Sequence, residues 1–526
     1  MEAPANAVVA DVVVAGAGIA GLYSAWRLLQ QDPSRKLHVL EILPRTGGRL
    51  ETDVVDIGGV TVKTEEGGMR FTSSHHELIA LLEELGLGKQ AVPFPMGDDN
   101  NRFYLRGRRF TVGDARRDPA IWSRLYRLNE SARGKQPADV LAGVLDAILE
   151  ENGLDPDYWD PTCEDWTRFR TEYTYRGVPT CRWGIWALLA DYGLTEDCLE
   201  MLYQASGLIV PYDRQINAGS AFQLLADFIN PELQTLRLGF EQLPEALGAS
   251  CLDAGAAIHL QTAVRGIDRL SDGRLLVTAR REPGTTQSFI CPTLILALPQ
   301  LALRRLMPQA PMMRDSAEFL ADLESVTDMP LSRINLYYEK NWWTELLKID
   351  NGGSFTDLPL ASFHCFGGPQ RGASSERPAS LTLYADHTRS HYWSELQRLG
   401  APFHSAMFPA NPPDTTAAST YVVLAATRQL GEMFGLRGIP APVLTTYRRW
   451  TDPRMGDGNH QWKVGVDDRE VRRRMANPFP GVYVCGETWS DDQARVNGAL
   501  RSADVMLQRL AAPSAPATVP AAVVAG

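Results

Sequence analysis

The chain has few cysteines, and none of them form a working set. Its seven, Cys163, Cys181, Cys198, Cys251, Cys291, Cys365 and Cys485, are odd in number, scattered and never spaced C-x-x-C. That argues against a disulfide framework, a dithiol redox pair and a structural zinc site, and no metal is expected. Long hydrophobic runs are missing as well: no apolar stretch approaches the roughly 20 residues of a membrane span. Net basic charge is also absent. There are 52 Lys and Arg against 63 Asp and Glu, a formal charge of -11, which disfavours nucleic acid or an acidic membrane as partner. The opening "MEAPANAVVAD" lacks the basic segment and apolar core of a secretory signal, so a cytoplasmic protein is expected. What remains is a globular composition, 44% hydrophobic and 22% charged over 526 residues, enough for two or three domains.

The first informative feature is a set of glycines. In "VVVAGAGIAGLYSAWRLL", residues 12–29, Val12 to Ala15 reads as a strand buried on both faces. Ile19, Leu22, Tyr23, Trp26 and Leu29 then recur at helical spacing. A G-x-G-x-x-G between such elements, here Gly16, Gly18 and Gly21, allows a tight turn, close approach of a pyrophosphate and close helix–strand packing. The phosphates would sit on the positive end of the helix. A second strand, Leu37 to Leu40, ends at Glu41, 20 positions after Gly21, where a carboxylate can accept hydrogen bonds from an adenosine ribose. In "RTGGRL", Arg45 and Arg49 flank Gly47 and Gly48, two guanidinium groups beside a glycine pair that admits a charged ligand. No second G-x-G-x-x-G occurs, which argues against a separate nicotinamide site.

Further along, "SSHHELIALLEELGLG" predicts a helix with Ser74 and Glu77 in capping-box spacing and Gly86 as its stop. Residues 115–235 are predicted to be mostly helical, as in Val140, Leu141, Val144, Leu145, Ile148 and Leu149, closed by Gly153. A helix and short alternating strands follow, with a hairpin turn at Asp272-Gly273 and a buried strand at "TLILALP". Residues 305–435 mix strand-like runs ("RINLYYE", "ASLTLYA") with a Gly/Pro/Ser-rich loop at 366–380 and a breaker-rich stretch at 400–417. "GVYVCGET" is a last strand opening into a glycine turn and a helix, and the Ala/Pro tail 511–526 is predicted to be disordered.

The expected fold is therefore α/β, with a discontinuous Rossmann-type cofactor domain (8–75, 236–304 and 436–510). A mixed α+β substrate domain (76–114 and 305–435) and a helical domain (115–235) complete it.

The blocks "VVVAGAGIAGL", "RTGGRL", "EEGGMRF", "RLGFEQLP", "TAVRGI", "LALP", "NWW", "YRRWTDP" and "VYVCGETWSDDQARVNGALRSA" occur in this order. Together they resemble the flavin-containing amine oxidase family, and within it the L-amino-acid oxidases. The resemblance implies FAD, bound noncovalently because no cysteine lies between Cys365 and Cys485. It implies cofactor contacts at Gly16, Gly18, Gly21, Glu41, Arg45, Gly48, Arg49, Gly68, Met69, Arg70, Val264, Trp450, Gly486, Glu487 and Val496. It further implies oxidation of an L-α-amino acid by O2 to a 2-oxo acid, ammonium and hydrogen peroxide.

The candidate catalytic residues are Arg70, Arg333 and Trp450. Arg70 is the expected carboxylate holder, since its planar fork can make two parallel hydrogen bonds. Arg333 stands where the family usually has a flavin-side lysine. Substrate contacts are also expected at His364, Cys365 and Phe366, where venom-type relatives have a tyrosine, and at Ala494 and Arg495, where they have an aromatic residue. Trp450, Trp462 or Trp489 could replace that aromatic wall, and Asp457, Asp491 and Asp492 could favour a cationic substrate side chain. Relatives are commonly dimers or tetramers. A polyamine or monoamine oxidase, an amino-acid 2-monooxygenase and a noncatalytic flavoprotein remain as alternatives.

Overall fold

The valine-rich segment Val12–Ala15 is buried on both faces because it is the middle strand of a five-stranded parallel sheet. The strand order is Ala257–His259, Leu37–Leu40, Val12–Ala15, Thr293–Leu296 and Val482–Val484. Three widely separated parts of the chain thus build one Rossmann-type sheet. This computed structural model describes residues 4–94, 96–229, 233–366, 376–412, 415–452 and 456–512.

One face of the sheet is covered by the helices Ile19–Gln31, Gln242–Asp253 and Val496–Ala511, which share a core of Val14, Leu22, Val39, Leu247 and Leu500. The other face packs on a four-stranded sheet that includes Thr262–Arg269, Leu275–Arg281 and Thr285–Cys291, through Val13, Val277, Phe289 and Leu294. The expected hairpin at Asp272-Gly273 joins two of these strands, and Gly273 takes φ +89° there.

A seven-stranded sheet forms the second layer system. Its order is Leu444–Arg449, Leu331–Tyr338, Ala379–Asp386, Ser362–Phe366, Gly352–Thr356, Arg102–Leu105 and Arg108–Thr111. Helices His387–Leu399 and Thr420–Phe434 pack on one face around Trp343, Leu381, Trp393 and Leu430. The helical block, including Pro137–Glu151, Cys163–Thr171 and Glu196–Ser206, has its own core of Ile148, Phe169, Leu199 and Phe222. Arg170 ties it to the C-terminal region through a buried ion pair with Asp468 at 3.0 Å.

Several local expectations change. The helix His76–Glu84 takes His75 as N-cap, so the Ser74–Glu77 capping box does not form. Ser74 Oγ instead meets Thr72 Oγ1 at 2.6 Å, and Glu77 accepts from Arg501. This helix packs on the cofactor-sheet helices through Leu78, Leu81 and Leu82, away from the seven-stranded sheet. Leu444–Arg449, numbered within the cofactor segments by the sequence reading, is the edge strand of that larger sheet. The final helix runs on to Ala511. Residues 513–526 of the tail and 367–375 of the Gly/Pro/Ser-rich loop lie outside the described residues, and the strand from Ala379 takes up that loop's end.

Candidate active site

Between the glycine turn and the seven-stranded sheet lies a cavity of 410 Å³. Gly16 enters the turn at φ +101°, and a Cβ there would stand 2.5 Å from Ala297 O. Gly18 and Gly48 face each other, so that a Cβ on Gly48 would lie 3.2 Å from Gly18 Cα. The helix that starts at Ile19 has no acidic residue in its first turn and no side-chain cap on Gly18. Gly18, Ile19 and Ala20 line the cavity, which leaves a positive helix end and a side-chain-free cradle suited to phosphate. Gly21 is absent from the lining. Its Cβ would sit 2.0 Å from Gly16 O, so it serves helix–strand packing.

Glu41 also lines the cavity, and its carboxylate accepts from Ala17 N at 2.7 Å and Leu43 N at 2.9 Å. Burial raises its pKa despite these bonds. Thr262, Ala263 and Val264 stand in the same wall. Arg49 reaches the cavity and pairs with Glu487 at 2.6 Å. Glu487 accepts in addition from His460 Nδ1 at 2.7 Å, and its second oxygen takes Ala494 N at 3.0 Å. Burial opposes the charge on Glu487, but Arg49 and His460 outweigh it and hold the carboxyl well below its usual range. Gly48, Gly68, Met69, Gly486 and Val496 line the cavity. Arg45 does not. It turns inward to Glu51 at 2.7 Å and to the carbonyls of Thr46, Gly48 and Leu50, so it braces the glycine loop.

A second group of lining residues is cationic and aromatic. The Arg70 guanidinium lies 5.7 Å from the Phe94 ring centroid, with Nη1 2.9 Å from Met96 Sδ. Arg333, 2% exposed, donates Nη1 to Glu65 O at 2.6 Å and lies over Tyr384 at 5.2 Å, while its Nε has no acceptor among the described residues. Trp450 donates to Glu66 O at 2.6 Å and closes the wall beside Gly67. Burial, and then Arg70 and Arg333, push the pKa of His364 down to about 3.

The other expected substrate contacts are redistributed. His364 stays behind the cavity wall, against Gly353 and Phe355. Cys365, one position on, points to the opposite face of its strand and is fully buried among Trp343, Leu381 and Trp393. Phe366 ends the strand, and its side chain lies outside the described residues. Ala494 and Arg495 do line the cavity, with Arg495 held by Asp492 at 3.0 Å and Gln223 O at 3.0 Å. Trp450 lines it too, whereas Trp462 and Trp489 belong to the core. Asp457, Asp491 and Asp492 are outside the lining and pair with His460, Arg501 and Arg495 respectively.

Sequence reasoning missed Tyr384 and Asp386, and missed Leu208, Val210, Pro211 and Leu224 from the helical block. It also passed over His387 and His391, which stand at i, i+4 spacing. His387 pairs with Asp213 at 2.6 Å, and no group of three or more His, Cys, Asp or Glu residues suited to a metal exists among the described residues. Among those residues, no helix is long and apolar enough to cross a membrane.

The sequence pattern of flavin containing amine oxidoreductases matches residues 19–504. Achacin of Lissachatina fulica is 23% identical over 502 residues, 90% of this chain and 88% of its own. An L-amino-acid oxidase of Bungarus fasciatus is 24% identical over 350 residues, 66% of this chain and 61% of its own length. Among solved structures, wild-type putrescine oxidase bound to putrescine superposes with TM-score 0.65 at 15% identity, covering 96% of this chain and all of that one (100%). A likeness at that identity speaks for the fold alone. The family pattern, however, runs from the first helix of the glycine turn into the last helix of the chain, and the protein belongs to the flavin-containing amine oxidoreductase family.

Proposed function

We propose that this protein is an FAD-dependent L-amino-acid oxidase that binds its FAD noncovalently. The observation that carries the reading is the placement of two guanidinium groups, Arg70 and Arg333, in one cavity wall. Such a wall attracts an α-carboxylate and repels a plain amine or diamine cation. The relative from Bungarus fasciatus, an L-amino-acid oxidase, points the same way. Putrescine oxidase shares the fold and supplies the rival reading.

When bound, FAD would supply two-electron redox chemistry between the substrate Cα–H and O2. The net conversion takes L-amino acid, O2 and water to 2-oxo acid, ammonium and hydrogen peroxide. Arg70 holds the carboxylate and so fixes which face of Cα is presented. Arg333 remains a cation, so it can orient and stabilise negative charge but cannot take up a proton as a lysine amine would. Trp450, anchored on Glu66 O, is a rigid wall for the reacting end. Leu208, Val210, Pro211 and Leu224 are the apolar lining that keeps water from it. The cofactor would be held by the Gly16–Gly18 turn, Glu41, Gly48, Arg49, Val264 and Gly486, which all line the cavity.

The experiment is anaerobic mixing of the flavin-loaded protein with L- and D-amino acids and simple amines, followed by product analysis. Bleaching by L-amino acids alone, with peroxide and 2-oxo acid formed on aeration, is expected. Bleaching by amines alone would replace this reading with the amine-oxidase one, and an amide product would replace it with a monooxygenase.

A further inference from the structure

His460 is fully buried, lies outside the cavity lining, and touches two carboxylates at once. Its Nε2 meets Asp457 Oδ2 at 3.0 Å, and its Nδ1 meets Glu487 Oε1 at 2.7 Å, with Thr488 Oγ1 at 3.2 Å. An imidazole can bond both carboxylates as donor only when both nitrogens carry protons. The same Glu487 oxygen accepts from Arg49 at 2.6 Å, and Arg49 lines the cavity. Asp457 in turn accepts from Leu301 N at 2.9 Å at the start of the helix Gln300–Leu306. The four side chains form one chain, Asp457–His460–Glu487–Arg49, from a helix start to the cavity wall. Asp328 stands opposite His460 in the register of its strand pair and is the remaining ionisable group facing it across that pair.

The charges in this chain alternate. With His460 protonated, two anions balance two cations and the chain is neutral. Without that proton it carries one net negative charge, buried next to a site for a cofactor that carries a pyrophosphate.

We propose that His460 is a positioning residue for the cofactor: as an imidazolium it locks Glu487 beneath Arg49 and keeps this wall of the cavity from repelling an anionic ligand. The proposal rests on the FAD reading above. It gives FAD affinity an alkaline limit set by this chain. Burial works against the charge on His460, but Glu487 and Asp457 overcome it and lift its pKa to about 9. Affinity is therefore intact at neutral pH and falls as pH rises through that region, with a slope approaching tenfold per pH unit for one linked proton.

The test is FAD dissociation from the holoenzyme, read by recovery of free-flavin fluorescence between pH 6.5 and 10, in the wild type, His460→Gln and Asp457→Asn. Histidine hydrogen–deuterium exchange read by mass spectrometry reports the charge of His460 itself. The wild type should show the alkaline fall and a His460 that is charged at pH 7.5. His460→Gln should bind FAD more weakly at pH 7 and lack the fall, and Asp457→Asn should move the fall to lower pH. An uncharged His460 at pH 7.5, or the same alkaline fall in His460→Gln, would overturn the proposal alone. A protein that holds no FAD at pH 7 would overturn the cofactor reading and this proposal together. Weaker binding at every pH with an unchanged profile would mark a merely structural residue and also refute the assignment.

Discussion

Replacing Gly21 with alanine separates two readings of the glycine turn. In an open helix interior the change stabilises by about 1 kcal/mol, because alanine is the better helix former. Here the added methyl would stand 2.0 Å from Gly16 O and 3.2 Å from Ala297 Cβ, where ordinary contact begins at 3.4 Å. The helix Ile19–Gln31 must retreat by about 1.4 Å from a strand whose neighbours are packed at crystal-like density. Overpacking of this kind costs roughly 1–3 kcal/mol, enough to outweigh the propensity gain and reverse the sign. The retreat also opens the Gly16–Gly18 turn, so FAD affinity should fall with stability. Gly18→Ala is the control: its Cβ would find Gly48 Cα at 3.9 Å, so the fold should hold while the methyl projects into the cradle. Thermal or denaturant unfolding of the two apoproteins, paired with FAD titration, reads both effects. A Gly21→Ala protein as stable as the wild type and with undiminished FAD affinity would refute the reasoning.

Other substitutions probe other parts of the molecule. Arg70→Ala should raise KM for L-amino acids about a hundredfold or more, roughly the 3 kcal/mol of a charge-assisted bidentate pair, and steady-state kinetics showing an unchanged KM would remove Arg70 from the carboxylate role. Asp468→Asn leaves Arg170 a buried cation short of its partner and should cost about 3–5 kcal/mol in unfolding experiments; a loss under 1 kcal/mol would mean the pair does not tie the helical block down. Asp53 is held protonated, its pKa lifted to about 9 by burial and then by Glu66 and Glu51, whereas in the unfolded chain it ionises near 3.8. Folding must therefore take up a proton at neutral pH, and stability falls as pH rises between those two values. Asp53→Asn should gain most on the wild type at pH 8 and least at pH 5, and an equal difference at both pH values would contradict that assignment.

What the sequence disclosed is whatever rests on local geometry. A strand, three glycines and a helix can be recognised together because each residue type answers a constraint within a few positions of it. Glu41 follows from the length of one strand–helix–strand unit. Side-chain direction beyond such units does not. Arg45 and Arg49 flank the same glycine pair, yet one braces the loop through Glu51 and the other reaches the cavity. Tyr384 and Asp386 escaped notice although their strand alternates, with Ala379, Leu381, Leu383 and Ala385 in the apolar core and Tyr384 and Asp386 on the polar face, because that polar face is buried against the cavity and not turned to solvent. Cys365 was misplaced because a strand sends neighbouring residues to opposite faces. The chain through His460 joins residues 49, 457, 460 and 487, a set assembled from different sheets: His460 lies on the strand paired with Val326–Met329, and Glu487 follows the last strand of the parallel sheet.

The threading of that sheet also governs when the protein can come into being. Val12–Ala15 pairs on one side with Leu37–Leu40, available almost at once, and on the other with Thr293–Leu296, which itself needs Val482–Val484 as its outer neighbour. On a ribosome the glycine turn is synthesised long before Val482–Val484, the strand that completes the sheet holding it. The helical block, whose core draws mainly on residues 103–225, is fully synthesised in the interval. Cofactor loading therefore waits for that strand, and a nascent chain stalled anywhere before Val482 cannot complete the flavin site.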